Sequence, residues 1–167
     1  MTAINRVSTY AKVLGTNSTS TNYPSRVATA TEPTGAGVLD MSVGNGLSRE
    51  KLVLIPYGQD EADKTLKMMV LGWQIVSDLW VPVSLCELTC TLCNKTGVAA
   101  KSVLNTEFFC DTLALTAGYS TTACEVNTPT GDVIAHAVVN VKGYAKVEVI
   151  FDRNSSATSA NALYKVL

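Results

Sequence analysis

"CELTCTLC", residues 86–93, admits two incompatible readings, and the choice between them sets the fold class of the chain. Its C-x₃-C-x₂-C spacing is that of a loop holding an iron–sulfur cluster. The same residues also alternate: Cys86, Leu88, Cys90 and Leu92 fall on one side, Glu87, Thr89 and Thr91 on the other. That is the period of a half-buried strand. A strand rises about 3.3 Å per residue, which sets Cys86 and Cys90 about 13 Å apart and turns Cys93 to the opposite side. Three thiolates so placed cannot share a cluster, and the cysteines read as small core hydrophobes.

Working outward, the neighbouring stretches carry the same signature. Lys51–Tyr57 ("KLVLIPY"), Thr65–Val76 ("TLKMMVLGWQIV"), Leu79–Val83 ("LWVPV"), Phe108–Thr116 ("FFCDTLALT"), Asp132–Val141 and Tyr144–Phe151 are short apolar or alternating runs bounded by turn residues. Gly72 reads as a bulge inside its run, and Pro82 marks a strand edge or bend because proline cannot donate to a ladder. A two-residue turn at Lys142-Gly143 predicts a hairpin. Its register places Ile134, His136, Val138 and Asn140 on one core-facing side with Ala145, Val147, Val149 and Phe151, leaving Tyr144, Lys146 and Glu148 partly wet. No window shows a capped amphipathic helix; a short helical turn is expected only in the tail "SATSANALYKVL". The fold expected is all-β, an antiparallel β-sandwich or jelly-roll-like barrel with an extended N-terminal arm.

Residues 16–37, "TNSTSTNYPSRVATATEPTGAG", lack the large aliphatic groups needed to offset ordering entropy. The chain therefore divides into an extended or flexible arm at 1–37, a body at 38–153 and a tail at 154–167. Two readings stand for such a stretch: a floppy N-terminal region, or an arm that becomes ordered against a neighbouring subunit. Charged residues make up only 16% of the chain, and 13 Lys and Arg against 14 Asp and Glu leave a net charge of −1. Such a surface lacks the basic footprint of nucleic-acid binding and the self-repulsion that keeps monomers apart, so homo-oligomeric association is expected. No export signal and no apolar stretch of membrane-spanning length is read, and synthesis in a cytoplasm is expected.

Chemistry-bearing constellations are thin. Radical enzymes with the cysteine spacing above commonly place an aromatic residue before the last cysteine, where this chain has Leu92. Zinc lacks a second pair of closely spaced ligands, and Asp60, Glu61 and Asp63 lack the spacing and glycine of a calcium loop. The single histidine, His136, is read as a packed structural residue, and the glycines at 35, 37, 44 and 46 form no phosphate fingerprint. No catalytic, cofactor-binding or metal-binding residue is assigned, and no cofactor. No disulfide is expected in a reducing compartment; a meeting of Cys110 or Cys124 with Cys86 or Cys90 across strands in an oxidising medium stays open. Trp73, read as core, and Trp80, read as partly exposed, with Tyr57 near in sequence, leave a sugar- or receptor-binding platform as a rival reading.

With its polar arm "TNSTSTNYPSRVATATEPTGAG" and its ending "VKGYAKVEVIFDRNSSATSANALYKVL", the chain resembles the small cement (decoration) proteins that tailed bacteriophages place on their capsids. The resemblance implies a virion location on the capsid surface, a jelly-roll-like unit assembling as a homotrimer, and the major capsid protein as partner. A tail or head-tail connector subunit is the nearest alternative within that class.

Overall fold

Two strands of unusual length, Thr65–Val76 (β4) and Leu79–Cys93 (β5), form the spine of the molecule. In this computed structural model, residues 11–13, 26–42, 48–59, 64–93, 107–116, 123–127, 135–152 and 161–167 are described. Among them every element is a strand: β1 (Ala11–Val13), β2 (Val38–Asp40), β3 (Lys51–Gln59), β4, β5, β6 (Glu107–Leu115), β7 (Cys124–Asn127), β8 (His136–Asn140), β9 (Lys146–Asp152) and β10 (Asn161–Val166). All pairings are antiparallel.

The strands make the two sheets of a β-sandwich, as the all-β reading predicts. One runs β2-β9-β4-β5-β6, the other β1-β10-β3-β8-β7. They meet at a corner in β3. One edge of β3 pairs with β10; its other edge pairs with β8 over Lys51–Leu54 and then with β6 over Tyr57–Gln59. The inward faces share one core that includes Leu66, Met68, Val70, Leu88, Val149 and Phe151 from the first sheet and Leu52, Leu54, Ala137, Val139 and Ala162 from the second.

The CELTCTLC stretch lies in β5, with Cys86, Leu88, Cys90 and Leu92 fully buried as their alternation predicts. Where Leu71 faces Ser84 but Val70 faces Cys86, β5 carries one extra residue, Leu85, and this bulge lets the consecutive Leu85 and Cys86 both enter the core. The irregularity expected at Gly72 is therefore at Val70/Leu71. Gly72 itself gives room to a ring: a Cβ there would collide with Cγ, Cδ1 and Cε1 of Tyr144.

The turn at Lys142-Gly143 exists, with Tyr144 N–H donating to the Val141 carbonyl at 3.3 Å and Gly143 at φ 88°. It does not close a hairpin. It carries the chain from one sheet to the other, so β8 pairs with β3 and β7 while β9 pairs with β4 and β2. The expected face of β9 is correct, since Val147, Val149 and Phe151 are buried. That of β8 is reversed: Ala135, Ala137, Val139 and Val141 enter the core, and His136, Val138 and Asn140 face outward. Both faces of this segment carry small apolar side chains, so parity rested wholly on the assumed hairpin.

The tail also departs from expectation. Residues 161–166 form β10, between β1 and β3, and Leu167 is tied to the body by its N–H to the Lys51 carbonyl at 2.8 Å and its carbonyl to Lys51 and Glu50 N–H. No helical turn occurs over 161–167, and the remainder of the tail, 154–160, lies outside the described residues. Of the arm, β1 pairs with β10, and residues 26–37 run across the outer face of the first sheet. The remainder of 1–37, and Asp60, Glu61 and Asp63, lie outside the described residues.

Candidate functional site

The segment 16–37 contains two charged residues, Arg26 and Glu32. Both find opposite charges on the outward side of β9, where alternation sets Lys146 and Glu148 two residues apart. Arg26 Nη2 donates to Glu148 Oε1 at 2.6 Å, and its Nε reaches the two carboxylate oxygens at 3.0 and 3.1 Å. Lys146 Nζ lies 2.7 Å from Glu32 Oε1. Leu71 faces Glu148 across the β4–β9 pair, and two residues on, Trp73 donates its indole N–H to Glu148 Oε2 at 3.1 Å.

Glu148, expected partly wet, is only 4% exposed. Burying a carboxylate costs several kcal/mol unless its lone pairs are filled. Arg26 and Trp73 fill them, and the hydrogen bonds that Arg26 donates to Glu148 hold its guanidinium above its usual range. The segment thus lies clasped to its own body. A groove of about 310 Å³ runs beneath it, lined by Thr31, Pro33, Thr34, Val38, Trp73 and Glu148. On leaving the clasp, the chain is fixed at Asp40, whose Oδ1 accepts from Ser42 N–H at 2.9 Å; that bond holds the carboxyl below the ordinary range.

Beyond the clasp, the β4–β5 hairpin projects past the pairing of β4 with β9, which ends at Trp73. Its two-residue tip, Ser77-Asp78, has φ of 48° and 62°, the left-handed pair whose twist suits a tight hairpin. Ile75 and Trp80 continue the outward face of Trp73, while Val76 and Leu79 continue the core-side face. Ile75, Val76 and Leu79 remain 58%, 48% and 42% exposed. Apolar side chains therefore stand on both faces of a rigid ribbon, in water.

The free edge of β5 extends this surface. Trp80 directs its N–H and carbonyl away from β4, to Thr29, at 2.7 and 3.0 Å. Alternation then turns Pro82 and Ser84 the same way. Pro82 has no N–H to waste there, as expected of a proline at a strand edge. Among the described residues, no strand pairs with this edge between Val81 and Cys86.

The structure does not bring the remaining candidates together. Tyr57 and Trp73 are each 3% exposed, so of the three aromatics only Trp80, half-buried, has substantial accessible surface. His136 lies on the outward face of β8, half-buried, with Nδ1 3.1 Å from the Asn127 side-chain amide. Among the described residues, no three His, Cys, Asp or Glu side chains converge to hold a metal ion. Cys90 donates its S–H to the Leu66 carbonyl at 3.3 Å and Cys110 to that of Thr112 at 2.9 Å. The side chain of Cys93 lies outside what is described.

No protein-family model, no curated protein and no solved structure matches this chain.

Proposed function

We propose that this chain is a virion structural subunit that decorates a tailed-phage capsid as a homotrimer, bridging neighbouring major capsid proteins on the outer surface. The observation that carries this reading is the β4–β5 hairpin. Large apolar side chains exposed on a rigid element mark an interaction surface. Exposure on both faces further favours a ring: a twofold contact buries one face of such a ribbon, whereas in a closed ring each ribbon sits between two neighbours. The hairpin from Gln74 to Cys86 bears one charged residue, Asp78, so copies meet there with little repulsion.

A role in capsid cementing requires area, unpaired backbone and avidity rather than a reactive group. The exposed β4–β5 hairpin supplies area, the free β5 edge supplies unpaired backbone, and a trimer supplies avidity.

Light scattering on the purified chain is expected to give three times the 17.7 kDa chain mass. Substituting Ile75→Ser and Leu79→Ser together should reduce this to the monomer mass while leaving a cooperatively folded chain, because neither side chain is buried within the chain itself. A wild-type monomer, or a variant that stays assembled, would contradict the assignment of the hairpin as the subunit contact.

A further inference from the structure

Residues 26–37 cross the outer face of the first sheet without contributing a side chain to the core, and Val27, their one large aliphatic residue, is 70% exposed. Apolar burial therefore does not hold the segment down. Among the described residues, residues 26–34 are attached by polar contacts: Arg26 to Glu148, Glu32 to Lys146, and the backbone pair of Thr29 with Trp80. Water reaches both ion pairs, since the Arg26 side chain is 28% exposed and that of Glu32 56%. The groove beneath keeps much of the segment from packing on the sheet. Its root is a turn. Val38 N–H donates to the Gly35 carbonyl at 3.2 Å, Val149 N–H donates to that of Gly37 at 2.9 Å, and the two glycines have φ of 119° and 80°. That conformation suits glycine, and a Cβ at Gly35 would meet nothing within 4 Å, so this end of the turn is unobstructed.

We propose that residues 26–34 form a strap that opens as one unit about the Gly35–Gly37 turn while the sandwich stays folded, and that the closed strap masks the start of the β5 edge. A segment without core contacts, held by a few partly wet polar bonds, belongs to the low-stability end of a fold. Opening frees the N–H and carbonyl of Trp80. Together with the outward groups of Pro82 and Ser84 they make one unpaired edge, the geometry that accepts an added extended strand.

Pro82 explains why the strap covers no more of this edge. An antiparallel continuation of the Thr29–Trp80 pair would set Val27 opposite Pro82, which has no N–H to give. The chain turns away instead, and Arg26 reaches Glu148. Opening does not orphan that carboxylate, because the Trp73 indole keeps its bond and water takes the place of Arg26. Thr29 is thus a placeholder on the edge. The use of the bared edge in capsid contact rests on the assembly role above; the opening itself does not.

The test is amide exchange of the full chain, followed residue by residue by NMR across urea concentrations below the unfolding transition. Thr29 and Trp80 protect each other and report the strap. Val81, whose N–H alternation turns toward Gln74 of β4, reports the hairpin. Thr29 and Trp80 should share one protection factor, at least about tenfold below that of Val81 and nearly independent of urea, as for a local opening that exposes little surface. Arg26→Gln should lower protection at both by about a further tenfold, the effect of losing hydrogen bonds between charged groups. Protection equal to that of Val81 at every urea concentration, unequal protection at Thr29 and Trp80, or no response to Arg26→Gln would each overturn the proposal. The first two outcomes are decided by the wild-type chain, so poor folding of the variant does not rescue it. Exchange is read on the purified chain and capsid abundance on virus particles, so failure of the strap and failure of the assembly role are told apart.

Discussion

Replacing Glu148 by alanine is expected to cost about 3 kcal/mol of folding stability, more than any surface substitution in this protein should. The carboxylate ties together three things: the outward face of β9, the Trp73 indole of β4 and the Arg26 guanidinium of the crossing segment. Without it, the buried Trp73 N–H loses its acceptor, a loss of about 1–3 kcal/mol. Arg26, whose side chain is 28% exposed, must re-solvate by leaving the sheet. Its cost falls below that of a fully buried orphan charge, which places the sum near the lower end of the range for broken buried pairs. Glu148→Gln keeps an oxygen for Trp73 and should cost less. Arg26→Ala strands the carboxylate instead, and the Arg26→Ala, Glu148→Ala double variant should cost clearly less than the sum of the two singles. Urea unfolding of the four proteins measures this. Additive losses would mean that the segment is not held by this pair.

The second large effect is expected at Gly72. In most strands Gly→Ala gains a few tenths of a kcal/mol or more, since glycine loses the most backbone freedom on folding. Here the sign reverses. Gly72 lies under the Tyr144 ring, which the turn bond to Val141 and the passage into β9 hold in place. A methyl group at residue 72 displaces the ring or the strand, and Gly72→Ala should lower stability by about 2 kcal/mol. In a Tyr144→Ala background the same substitution should become neutral or slightly stabilising. Thermal unfolding of that cycle checks the claim, and an unchanged penalty without the ring would refute it.

Much of the architecture is legible where one face of a strand is apolar and the other is not. Cys86-Leu88-Cys90-Leu92 and Val147-Val149-Phe151 each declare their inward side, and all are buried. The same logic fails at β8, because Ala137 and Val139 on one side and Val138 on the other differ too little to choose a face. The turn after it was visible, but whether a turn returns along the same sheet or crosses to the next depends on partners distant in sequence. β10 was hidden for a related reason: "NALYKV" is short and rich in helix formers, and it becomes a strand because β3 and β1 offer it two paired edges.

The clasp left a faint trace. Arg26 and Glu32 stand out in an otherwise uncharged stretch, and Lys146 and Glu148 present the complementary signs on one strand face. Nothing local in the sequence connects residues 26 and 148, since the contact exists only once β9 lies beside β4. The hairpin tip was hidden differently. Ile75, Val76 and Leu79 look like core residues in any hydrophobicity pattern, and their exposure follows only from β4 and β5 outrunning β9.

The measurement that bears most directly on the proposed role is the abundance of this chain in purified virus particles from the host lysate that produces it, read from a stained gel against the major capsid protein. A capsid decoration subunit should appear at a copy number comparable to that of the major capsid protein. Absence from the particles, or presence in the few copies typical of a tail or head-tail connector, would contradict it.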